Sequence, residues 1–123
     1  MRENGAMSRT VLLRERVEDA LLRDESIELE DLVLELSLHT EEREWAECCC
    51  AQLAKHRNAQ VRGNALLGLG HLARRFGRLD PHRVKRLVQI GLFDRHEYVR
   101  RQAESAAADL EIFLSWQFEK PLA

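Results

Sequence analysis

Proline is almost missing from this chain: Pro81 and Pro121 are the two among 123 residues, and glycine adds six more breakers. A chain so poor in breakers, and dominated by Ala, Leu, Glu and Arg, favours helices over strands. Long uncharged apolar runs are missing as well, which excludes a membrane span. The N-terminus "MRENGAMSRT" lacks the apolar stretch of a secretory signal, so a cytoplasmic protein is expected. No glycine-rich phosphate loop follows a strand, because no strand candidate finds a partner. Aromatics make up only 6% of the chain, leaving Trp45, Trp116 and Tyr98 besides the phenylalanines for stacking on bases.

What is present is apolar enough, at 45%, to exclude a disordered chain, and 123 residues suffice for one core. Six helical segments follow from the spacing of apolar residues. The first carries Leu13, Val17, Ala20 and Leu21 on one stripe, with Ser8 as its expected cap. The second, "SIELEDLVLELSLH", reads two ways. Leu32, Leu34, Leu36 and Leu38 alternate as in a strand, while Leu29, Leu32, Val33 and Leu36 satisfy a helix; with no second strand to pair, a helix is expected. Thr40 is the expected cap of the third, whose stripe is Trp45, Cys49 and Leu53. Asn58 and Gly77 bracket the fourth, and Asp80 with Pro81 opens the fifth. Asp94 and Glu97 have capping-box spacing ahead of the sixth, which is expected to reach about Trp116. Residues 1–7 are expected to be disordered or appended, 8–118 a single helical domain, and 119–123 a frayed tail.

The fourth and sixth helices repeat each other. From Val61, offsets of four, eight and eleven give Ala65, Leu69 and Leu72; from Val99 they give Ala103, Ala107 and Leu110. Arginine follows each valine, as Arg62 and Arg100, and the period is 38 residues. A two-helix unit at that period indicates a helical solenoid. Gly63, Gly68 and Gly70 interrupt the fourth helix at a cost in propensity, and together with Ala106 and Ala108 they point to helices that approach closely.

"NAQVRGNALLGLGHL" resembles the second helix of a HEAT repeat, and "DRHEYVRRQAESAAADL" is similar to the same element one repeat later. Asp94, Val99, Arg100 and Ala103 match the family's order of turn acid, Val-Arg and small-residue run; the earlier copy departs from it by carrying Asn58 in place of the acid. Residues 42–113 carry the resemblance. It implies an all-α fold, a short right-handed α-solenoid of about three helical hairpins, and a protein-binding scaffold, in some members a nucleic-acid-binding one. Small solenoids of this kind are similar to those found beside bacterial toxins, which suggests an immunity protein neutralising a basic toxin such as a nuclease.

Chemistry has few footholds. Cys48, Cys49 and Cys50 point about 100° apart on a helix, so they cannot converge on one metal, and with His39 or His56 they fit no zinc spacing. The five histidines fall mostly at helix ends, and no Cys–His pair has a third orienting group at a suggestive spacing. No catalytic residue, metal or cofactor is therefore expected, and no enzyme. Arg62 and Arg100 are expected to bind turn acids or carbonyls and hold the hairpins in register.

Charge gives the functional hint. Residues 1–54 carry −8 and residues 55–123 carry +6. Such a split steers partners. Glu41, Glu42, Glu44 and Glu47 are the expected contacts for a basic protein partner. The alternative is nucleic acid on the basic turn of Arg74, Arg75, Arg78, Arg83, Lys85 and Arg86, and a third is self-association of acidic half with basic half. No membrane partner is expected.

Overall fold

Short oxygen-bearing side chains start two of the helices as the sequence predicts. Asn58 accepts the Val61 N–H at 3.0 Å, and Asp80 accepts the His82 N–H at 3.0 Å with Pro81 in the first turn. Gly77 ends the fourth helix in the left-handed region, at φ 70°, where a side chain is unfavourable. The structure, a computed structural model, describes residues 5–122. Six α-helices run through them: α1 (Gly5–Arg23), α2 (Ser26–His39), α3 (Arg43–Leu53), α4 (Ala59–Phe76), α5 (Pro81–Gly91) and α6 (Glu97–Leu114). The described residues contain no strand.

Several boundaries differ from expectation. α1 begins at Gly5, ahead of Ser8, so the helix enters the stretch set apart as disordered; residues 1–4 lie outside the described part. Thr40 closes α2, and its hydroxyl accepts the Glu42 N–H at 3.1 Å before α3 starts at Arg43. Asp94 makes no capping box. α6 starts only after His96, so Asp94, three residues before the helix, accepts the His96 N–H at 2.9 Å and the two Arg62 bonds instead. α6 stops at Leu114, where Ser115 turns left-handed.

Consecutive helices pair as α1 with α2, α3 with α4 and α5 with α6, and α4 lies between α2 and α6 with α3 also against it. α2 settles its ambiguity by burying Leu29, Leu32, Val33 and Leu36, one helical stripe, while Leu38 stays exposed. The α4 stripe of Val61, Ala65, Leu69 and Leu72 and the α6 stripe of Val99, Ala103, Ala107 and Leu110 are all buried. Removing one leucine side chain of this layer from water contributes about 2 kcal/mol.

The helix-breaking glycines sit where α4 touches its neighbours. A Cβ on Gly70 would come within 3.0 Å of the Ala106 Cα, a backbone atom that cannot step aside. A Cβ on Gly68 would press on Cys50 Sγ and Ser37 Cβ, each at 3.1 Å, and one on Gly63 would meet the Tyr98 ring. Their propensity cost of about 1 kcal/mol each is offset by backbone approach. Ala106 shares in this, whereas Ala108 is exposed and takes no part.

Polar bonds lock the layers. Tyr98 donates its hydroxyl to Asn64 Oδ1, and Asn64 Nδ2 donates to the Glu30 carbonyl at 3.1 Å, so one chain of bonds crosses α6, α4 and α2. Along the turn edge, Arg62 makes a two-pronged bond to Asp94 at 2.9 and 3.0 Å and also donates to the His56 carbonyl. Arg100 donates to the Asp94 carbonyl at 2.7 Å. His56 Nδ1 accepts the Asn58 N–H, which leaves Nε2 to donate to Asp24 at 2.7 Å, joining the α1–α2 and α3–α4 turns.

At Glu119 the tail is in contact with α5. Gln89 grips its backbone twice, accepting the N–H at 3.0 Å and donating to the carbonyl at 2.7 Å, and Lys120 pairs with Glu111 at 2.8 Å. Trp116 and Phe118 pack against the core.

Candidate functional site

The four glutamates singled out in the sequence are not one surface. Glu47 is fully buried: its carboxylate pairs with Arg43, pairs with Arg83 at 3.3 Å and accepts the Asp80 N–H at 3.0 Å. It fastens α3 to the start of α5 and cannot meet a partner. The reason is rotational. α3 turns Ala46, Glu47 and Cys50 inward, where the bare backbone of Gly68 admits the Cys50 sulfur, so Trp45 is left half-buried. Glu42 pairs with Arg14 of α1. Glu41 is 84% exposed, with Arg75 at 3.8 Å, and Glu44 is exposed.

These two outward glutamates belong to a wider acidic side. Glu15, Glu18, Asp19, Glu25 and Asp31 of the first hairpin are exposed as well. Between α1 and α3, the Arg14 guanidinium lies 5.2 Å over the Trp45 ring while reaching Glu18 at 3.3 Å and Glu42. An aromatic ring under an arginine, rimmed by carboxylates, joins apolar area to directional charge.

The basic turn divides likewise. Arg74 pairs with Asp109 at 3.3 Å, and Arg75 donates to the Ser37 and Thr40 carbonyls at 2.9 and 2.6 Å while stacking on Phe76. Arg83 is bound to Glu47. Arg78, Lys85 and Arg86 remain exposed. Arg75 and Arg83 are thus tied to groups inside the molecule and Arg74 to Asp109 at the surface, so half of the expected basic patch is already engaged by the protein itself. Sequence reasoning missed Lys55 and His82, which join Arg83 and Arg86 around a cleft between α3 and α5. The spacing of His82, Arg86 and Ile90, four residues apart on α5, was the available signal.

The remaining reactive groups differ in burial. Cys49 is buried, and burial pushes its thiol up to about 12; Cys50, more deeply buried, is pushed up further by the same cause. Cys48 alone of the three is exposed. Burial lowers the His71 pKa, as does nearby Arg74. At the turn edge, the hydrogen bond from His56, then that from Arg57, holds Asp24 below the usual carboxylate range. Burial raises Asp94, but the Arg62 bonds and the His96 N–H outweigh it and leave its pKa lowered. Among the described residues no three His, Cys, Asp or Glu side chains converge to hold a metal, and no helix is long and apolar enough to cross a membrane. Compared with known proteins, the chain matches no family model, no curated protein and no solved structure.

Proposed function

We propose that this chain is a non-enzymatic, HEAT-like protein-binding scaffold, a short right-handed solenoid of three hairpins that docks a basic protein on its acidic α1–α3 side. The side-by-side order of α2, α4 and α6 and the Arg62–Asp94 link between successive hairpins support the solenoid reading. The observation that carries the binding reading is Trp45, half-buried beneath an Arg14 that itself pairs with Glu18 and Glu42, with exposed Glu44 preceding the ring in the chain. A field of this sign speeds capture of a cationic partner, and the aromatic ring gives the contact an anchor. Neutralisation of a basic toxin is the narrower form, supported by that same charge. Three free thiols suit a reducing cytoplasm.

Affinity capture at low salt tests this reading. The wild-type chain should retain a protein of net positive charge, and a variant reversed at Glu15, Glu18 and Glu44 should lose it while keeping its circular dichroism. Equal retention by both chains, or retention by neither, would contradict the proposal.

A further inference from the structure

A cleft of about 440 Å³ opens between the C-terminal end of α3 and the length of α5, with α4 beneath it. That volume is in the range of small-ligand sites. Its two ends differ in chemistry. Toward the start of α5 the lining is cationic, from Arg83 and Arg86 beside His82, with Lys55 contributed by the opposite wall. Toward the end of α5 it is aliphatic, from Leu87 and Ile90 above Leu66 of α4. His82, Arg86 and Ile90 stand four residues apart, so α5 lines them up along one side of the cleft.

The charge of this lining is not balanced. Arg62 and Asp94 cancel each other through their two-pronged bond. Arg83 gives one nitrogen to Glu47 and stays one-third exposed. Lys55, His82 and Arg86 pair with no carboxylate among the described residues. Ile90, meanwhile, is 53% exposed beside them, an apolar group without cover. Unpaired cations on two facing walls suit a dianionic head, and the aliphatic end suits an apolar body of about a ring or two.

We infer that the cleft binds a small amphiphilic phosphomonoester, with its phosphate between Lys55 and Arg86 and its apolar body over Leu87 and Ile90. Bare phosphate gains only the first contact and a neutral body only the second, so both parts are needed for affinity. The cleft lies between the end of α3 and α5, none of Arg14, Glu18, Glu44 and Trp45 lines it, and it does not depend on a protein partner.

Titration of the ¹⁵N-labelled chain with 1-naphthyl phosphate, inorganic phosphate and 1-naphthol reads the proposal directly. The ester should shift the amides of Lys55, Leu66 and residues 82–91 and saturate below about 1 mM, with phosphate and naphthol each weaker by about tenfold or more. Lys55→Glu with Arg86→Glu should weaken the ester by about tenfold or more, whereas Arg101→Glu, a reversal of another exposed arginine, should leave it unchanged. Ile90→Ser should weaken the ester while leaving the response to inorganic phosphate as it was. The proposal fails if the ester gives no saturable shift, if naphthol binds as tightly, or if the shifts scatter over all exposed arginines and survive the double reversal in a folded chain.

Discussion

The two ends of the helical stack are joined by different means. α6 lies against α4 through bare backbone: Gly70 meets Ala106, Gly63 meets Tyr98, and the tail is gripped by Gln89. α1 instead buries Leu13, Val17 and Ala20 and leaves Val11, Leu12 and Leu22 exposed. Its polar links, such as Arg16 to Glu35 at 3.2 Å and Arg23 to Glu28 at 2.7 Å, lie in solvent. Close backbone contact gives many dispersion contacts that salt does not screen, whereas exposed ion pairs contribute little. The C-terminal side is thus the rigid frame, and the acidic hairpin carrying the proposed docking side is its more weakly held end.

Breaking the frame should cost most. Glu47→Ala leaves Arg43, Arg83 and the Asp80 N–H without their acceptor and should lose about 3 kcal/mol, measured by urea unfolding. Glu47→Gln, which still accepts from Asp80, should lose less. Next is Gly70→Val, expected to cost about 2 kcal/mol by forcing α4 away from the Ala106 backbone. Leu12→Val, on the 58% exposed surface of α1, should stay within about 0.5 kcal/mol. Equal costs at the two sites would erase the contrast.

The turn edge gives a smaller, pH-dependent effect. Because the native pKa of Asp94 is depressed below 3.8, its stabilisation is present above the unfolded value and is lost as pH falls through the native one. Asp94→Asn should cost about 1 kcal/mol at pH 7, and its melting temperature should fall less than that of the wild type between pH 5 and pH 3. The smallest effect is expected at α1, where Arg23→Ala should leave the urea midpoint in place, with or without added salt.

The helices were legible because their apolar stripes and caps are local: Asn58, Gly77 and the Asp80–Pro81 pair each act on their own or adjacent residues. So was the purpose of the glycines, since only close approach explains three of them in one helix. Glu47 was not legible. In sequence it is one more glutamate in an acidic run, and only the rotation of α3 against Gly68 turns it inward to Arg83, 36 residues away. Asp94 was legible in part: Arg62 was expected to bind a turn acid and does so from 32 residues back, but the capping-box reading of Asp94 failed because α6 begins only after His96. The tail contact needs Gln89 to meet Glu119, and the cleft needs Lys55 of the α3–α4 turn to face α5. Periodicity within one helix carries none of these long-range meetings.

Native-state hydrogen exchange tests the contrast most directly, because it reads the opening free energy of each helix in one sample. The amides of α4 and α6 should open only with global unfolding, while those of α1 exchange through a cheaper local opening. Protection in α1 equal to that in α4, or an α6 that opens first, would contradict the account.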